Sequence, residues 1–182
     1  HLLEALVGRP DARVIATGSV FEYGSGSHLR EDQPPMPNTV LGAAKASATL
    51  ALQAYAKVHG VHTVILRVFT PYGPWERPGR LIPLTILSAL KGEEIRMSSG
   101  RQQRDYFYID DLVEALRLAS VKPVPPGTVM NVCSGRGVPV REVVELTLRL
   151  MGDPVKARIG VLPHRSDEIW ESSGDNTAAK RL

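Results

Sequence analysis

One cysteine, Cys133, is all that the 182 residues carry, so neither an internal disulfide nor a cysteine-rich zinc site can form. A reducing compartment fits that count, and the cytoplasm is the expected location. No apolar run approaches the roughly 20 residues that a membrane-spanning helix needs, so no membrane partner is expected. The opening His1-Leu2-Leu3-Glu4-Ala5-Leu6-Val7 is too short and wrongly flanked for a signal peptide. It is expected to be the last two turns of a helix that begins upstream. No dense basic block occurs: the net charge is +3 and the pI near 9.2 reflects a slight arginine excess. Nucleic acid is therefore not an indicated partner. His59, His62 and His164 fall on separate segments without ligand spacing, which predicts no metal. Finally, there is no G-x-G-x-x-G turn; Ser25-Gly26-Ser27 is the nearest approach and reads as a plain turn.

What the chain does have is a globular composition, 43% hydrophobic and 23% charged, and an alternation of short β-rich runs with helical ones. Val14-Ile15-Ala16-Thr17 reads as a buried parallel strand. Residues 19–40 carry Gly24, Gly26, Pro34, Pro35 and Pro37 and are expected to be loop. The Ala-rich, Pro-free run 41–59, stopped by Gly60, predicts a helix. A second buried strand is expected over 61–69, a helix over 84–91 and a short strand over 95–97. Residues 104–108 read as extended. Asp110 or Asp111 is expected to cap the helix that follows. A strand over 128–133 and a helix over 140–151 complete the pattern. Such alternation argues a doubly wound parallel α/β sheet.

Several short motifs occur in a fixed order. They are Thr17-Gly18-Ser19-Val20-Phe21-Glu22-Tyr23-Gly24, Gly42-Ala43-Ala44-Lys45, and Leu66-Arg67-Val68-Phe69-Thr70-Pro71-Tyr72-Gly73-Pro74. Then come Gln103-Arg104-Asp105-Tyr106-Phe107-Tyr108-Ile109-Asp110-Asp111, Asn131-Val132-Cys133-Ser134-Gly135 and Pro163-His164-Arg165-Ser166-Asp167. In this order and spacing they resemble the extended short-chain dehydrogenase/reductase family, in particular its NAD-dependent epimerase/dehydratase branch acting on nucleotide-sugars. The resemblance covers nearly all of the chain. It implies a Rossmann-like sheet incomplete at its N-terminus, with about the first half of the dinucleotide fold lying before residue 1. It implies two parts: residues 1–74 with 106–133 in the dinucleotide-binding domain, and 75–105 with 134–182 in a small substrate-binding subdomain.

The chemistry of that family explains the residue types. Oxidising a sugar hydroxyl sends hydride to a nicotinamide and a proton to a base. A phenol serves near neutral pH only if its pKa is lowered, and a lysine ammonium one helical turn away does this, because positions i and i+4 share a face. A hydroxyl at the preceding strand end bonds the reacting oxygen. By the resemblance, Ser19 is that hydroxyl and Lys45 that lysine, which also holds the nicotinamide ribose. The tyrosine position is Leu41, which has no titratable proton. Tyr23, Glu22 and His28 are the nearby groups that could stand in. The acidic pair that supplies acid and base in the 4,6-dehydratase branch corresponds here to Val20 and Phe21, so an epimerase-like or ketoreductase-like reaction is expected.

The resemblance also assigns Thr17, Lys45 and Pro71 to the cofactor, NAD or NADP. Thr70 falls at the sugar, Arg96 along the nucleotide base, Arg104 and Arg165 at the diphosphate of a nucleotide-sugar, and Tyr106 beside that diphosphate site. A guanidinium fork suits that last role because it bonds phosphate oxygens bidentately and does not deprotonate. A homodimer packed through the helix of Lys45 and its neighbour is a further expectation. Two functions are compatible with these residues: an NAD(P)-dependent nucleotide-sugar epimerase or reductase, and a catalytically silent relative that binds a sugar nucleotide or a protein partner.

Overall fold

The computed structural model describes residues 1–182. A single helical turn, α1 (Leu2–Ala5), opens the chain with no buried residue. It is shorter than the two turns expected: its C-cap is Leu6, and Gly8 then turns the chain at a positive φ of 77°. Strand β1 (Arg13–Ser19) follows, then a 3₁₀ turn (Val20–Glu22) and β2 (Gly26–Leu29). These last two elements lie in the stretch expected to be loop. β2 has no neighbour nearby in sequence and pairs in parallel with a strand near the C-terminus.

Helix α2 (Val40–His59) starts at Thr39, whose hydroxyl accepts the Gly42 N–H at 3.0 Å, and stops at Gly60 in the left-handed conformation. Those are an ordinary N-cap and C-terminal glycine. β3 (His62–Val68) and β4 (Thr70–Tyr72) come next, then α3 (Leu81–Lys91) and β5 (Ile95–Met97). β6 (Gln103–Arg104) and β7 (Tyr106–Tyr108) lead directly into α4 (Ile109–Val121). The N-cap of α4 is Tyr108, without a side-chain bond. Asp110 and Asp111 therefore do not cap; they sit inside the first turn, where their charges oppose the positive end of the helix dipole. β8 (Thr128–Val132), β9 (Val138–Pro139), α5 (Val140–Leu150), β10 (Ala157–Ile159) and β11 (Ser172–Gly174) complete the order.

The central sheet is parallel, in the order β1-β3-β8. Its middle strand is buried on both faces. Val64 and Leu66 pack with Ala119 of α4 and with Met130 and Val132, whereas the Thr63 hydroxyl donates to the Leu52 carbonyl of α2. Helices thus cover opposite faces, the Rossmann-like arrangement expected from the alternation. Strand β1 is only half-buried, contrary to expectation, because it lies at the sheet's edge. A second, smaller core joins Ala89 of α3, Ile95 and Met97 of β5 and Val140, Val144 and Leu148 of α5. No helix is long and apolar enough to cross a membrane.

Candidate functional site

Ligands of parallel α/β sheets bind outside the carboxyl ends of the strands, and three predicted residues meet there. β1 ends in Thr17-Gly18-Ser19. Ser19 caps the 3₁₀ turn: its Oγ accepts the Phe21 N–H at 3.2 Å. With that lone pair engaged, the hydroxyl proton is free to donate outward. From α2, the Lys45 ammonium donates to the Thr17 carbonyl at 2.7 Å. α2 comes close enough for this because position 42 is glycine. A Cβ there would collide with the Phe21 carbonyl and crowd Thr39 Oγ1. An ammonium has three donors, so Lys45 retains two for a ligand. Leu41, one turn before Lys45, is 54% exposed. It is not a core residue of its helix; it presents a leucine side chain to solvent.

A second group forms where β4 pairs in parallel with β7, placing Thr70 opposite Tyr106 and Pro71 opposite Phe107. Tyr72 and Tyr108 meet edge to face at 5.6 Å. Burial pushes the Tyr106 phenol up to about 12 despite the nearby Arg104 and Arg80 guanidinium charges. The Tyr106 phenol therefore stays neutral through the ordinary pH range. Arg104, next to it, is heavily engaged. Its Nη1 donates to the carbonyls of Gln103 and Ile169 at 2.8 and 2.6 Å, and its Nη2 to Glu168 Oε1 at 2.7 Å. These bonds tie β6 to the segment that carries Arg165, which is itself exposed. Arg96 is exposed on β5, in register with Arg158 of β10. No hydrogen bond joins it to the other predicted residues.

Asp105 anchors this second group. Fully buried, it accepts from the N–H groups of Ser134, Gly135 and Gly174 at 2.7, 3.0 and 3.2 Å and from the Ser134 hydroxyl at 2.6 Å. The carboxylate thereby fixes the Arg104–Tyr106 segment against the end of β8 and the start of the C-terminal segment. Sequence reasoning gave Asp105 no role; its only signal was an acidic residue inside an otherwise aromatic strand.

The possible stand-ins for the missing tyrosine are committed elsewhere or distant in character. The Tyr23 hydroxyl donates to Asn131 Oδ1 at 2.9 Å, the Arg67 guanidinium lies 4.4 Å from its ring centre, and burial raises its pKa. Glu22 is fully buried and paired with Arg67 at 2.8 Å. His28 is exposed on β2 in left-handed backbone. The Cys133 thiol is pushed up to about 12 by burial and by the Asp105 charge, so it is no nucleophile. No cluster of three or more His, Cys, Asp or Glu side chains comes together.

Residues 1–133 match the NAD dependent epimerase/dehydratase family. A probable UDP-glucuronate 4-epimerase of Rhizobium meliloti is 32% identical over 178 residues, which is 86% of this chain and 51% of that protein. Among solved structures, UDP-glucose 4-epimerase with UDP-glucose from Thermotoga maritima superposes with a TM-score of 0.90 at 28% identity, covering 99% of this chain and 60% of that one. dTDP-glucose 4,6-dehydratase from Bacillus anthracis in complex with NAD gives 0.87 at 25% identity, with 99% and 58% covered. The chain thus spans about half the length of the curated relative and under two thirds of either solved protein.

Proposed function

Because the chain belongs to the NAD dependent epimerase/dehydratase family, we propose that it forms part of a nucleotide-sugar epimerase or ketoreductase that transfers hydride to and from NAD(P). The observation that carries this reading is the meeting of Ser19, Thr17 and Lys45 at the carboxyl end of β1. In the proposal the Ser19 hydroxyl donates to the reacting sugar oxygen. Lys45 offers its two remaining N–H donors to the nicotinamide ribose, with Thr17 and Pro71 lining the same end of the site. The dinucleotide supplies a hydride acceptor at its nicotinamide ring. Thr70, in register with Tyr106 across β4 and β7, faces the sugar, and Tyr106 lies toward the diphosphate. Arg104 and Arg165 take the diphosphate, and Arg96 lies toward the base. Residues 1–74 and 106–133 belong to the cofactor half, 75–105 and 134–182 to the substrate half.

Epimerisation or ketone reduction is favoured over dehydration, since Val20 is buried and Phe21 half-buried, and neither supplies an acid. A second reading rests on Leu41. An exposed leucine where the family's proton acceptor stands supports a catalytically silent relative that binds a sugar nucleotide. A homodimer would pack through α2, the helix of Lys45, where Leu50 and Val58 are exposed.

Titrating the whole protein with NAD⁺ and then with UDP- and dTDP-sugars tests binding; failure to bind either class ends both readings. Turnover then separates them. Under the enzyme reading, Lys45→Ala lowers turnover by about 10²–10⁴ and unchanged turnover refutes it. Leu41→Tyr raises hydride transfer, read as absorbance at the reduced nicotinamide band, if loss of the phenol is what limits the protein. No gain rules out lost catalysis as the role of Leu41.

A further inference from the structure

Behind Ser19 lies a charged pair that no step above uses. Glu22 and Arg67 are both essentially excluded from solvent, at 0% and 3% exposure. The two carboxylate oxygens are divided between two donors. Oε1 accepts the Ser19 backbone N–H at 2.8 Å, and Oε2 accepts Arg67 Nε at 2.8 Å. The guanidinium is in turn stacked on Tyr23, whose hydroxyl is held by Asn131. Asn131 is itself fixed by the carbonyls of Leu29 and Asp175 through its Nδ2. Gly18 makes room for the arrangement: a Cβ on it would stand 2.5 Å from Glu22 Oε1.

Taking two charges out of water costs several kcal/mol per ion before their attraction offsets it. A buried pair at this place therefore needs a reason beyond filling space. Its geometry supplies one. Ser19 Oγ is aimed by its own backbone, which is pinned on one side by the β1–β3 ladder and on the other by Glu22 Oε1. The capping box closes only if both bonds form, the Phe21 N–H onto Ser19 Oγ and the Ser19 N–H onto Glu22. Arg67, in turn, prevents the carboxylate from rotating away.

We propose that Glu22 is a positioning residue for the Ser19 hydroxyl, clamped between the Ser19 N–H and the Arg67 guanidinium so that the hydroxyl proton points at the reacting oxygen. This rests on the role given to Ser19 above. Glu22→Gln tests it, because the amide keeps the volume but presents an NH₂ group to one of two donors. In the whole protein, with NAD⁺ and UDP-glucose or UDP-glucuronate, E22Q is expected to lower kcat about tenfold. KM and the affinity for UDP should stay within about threefold. In a Ser19→Ala background the E22Q effect should vanish, since a residue acting through Ser19 is non-additive with it. Equal losses in both backgrounds, or a change in KM alone, overturn the proposal. Where E22Q folds poorly, the charge-free pair E22M/R67M replaces it in the same cycle, with the same expected pattern. The two levels separate cleanly. If Ser19→Ala leaves turnover unchanged, or no variant reduces NAD⁺, the function proposed for the site falls and this inference with it. If Ser19→Ala lowers turnover while E22Q does not, the assignment of Glu22 alone fails.

Discussion

A charged residue buried in an apolar strand demands a partner, and Arg67 in Val64-Ile65-Leu66-Arg67-Val68 finds one in Glu22. The partner was not legible. Glu22 lies 45 positions away, and only the parallel pairing of β1 with β3 brings the two together. Because the guanidinium is buried and its removal would strand the carboxylate, Arg67→Met is expected to cost about 3–5 kcal/mol, measured by urea unfolding. A loss under about 1 kcal/mol would mean that water reaches Glu22. Cys133 shows the same dependence on three dimensions. Nothing in the sequence sets its reactivity; it is half-buried, and its thiol is pushed to about 12. The raised value means that the neutral form persists across the whole ordinary range and that the thiolate appears only as pH climbs toward 12. Alkylation by iodoacetamide at pH 8 should run at least about 100-fold slower than for an exposed cysteine. Rapid labelling would show that the thiol is accessible and ionised.

Among elements, α2, apart from its Thr39 N-cap, was read almost to its ends, because the Ala-rich run and Gly60 are both local signals. Its placement was not. The sequence offered Gly42 as part of a motif, and the structure gives the physical reason: the first turn of α2 rests against the Phe21 carbonyl. The 3₁₀ turn and β2 were missed for the opposite reason. Their stretch is rich in glycine and proline, and β2 forms only by pairing with β11, about 145 residues on, as the His28 N–H to Ser173 bond illustrates. Position 42 allows a test of sign. Glycine to alanine inside an exposed helix ordinarily stabilises by about 0.5–1 kcal/mol. Here the new methyl meets backbone that cannot step aside, so Gly42→Ala should destabilise by about 1–3 kcal/mol and weaken turnover by displacing Lys45 from Thr17. A higher melting temperature with unchanged turnover would mean that the helix adjusts freely.

At the scale of the whole molecule, the class of fold followed from alternation alone, whereas the exposure of β1 did not. Val14, Ile15 and Ala16 look like a strand buried on both faces, yet each is only half-buried, while Val64, Ile65 and Leu66 of β3 are at most 1% exposed. The difference is position in the sheet: β3 has a neighbour on each side, and β1 has one. An apolar seven-residue strand with an unpaired row of N–H and C=O groups is a template for another strand, and natural sheets protect such edges with charge, proline or a covering element. β1 has charge only at its start, at Arg13, whose guanidinium is turned away to the carbonyls of Ala119 and Ser120 in the last turn of α4 and of Lys122 just after it. The 182-residue chain prepared by itself is therefore expected to self-associate at micromolar concentration, seen as a concentration-dependent shift in size-exclusion chromatography with light scattering. It should also fail to oxidise NADH with a keto-sugar nucleotide, since no glycine-rich turn for a pyrophosphate occurs within it. A monodisperse monomer of the unmodified chain would show that β1 is shielded in solution, and detectable NADH oxidation would show that these residues alone hold the dinucleotide.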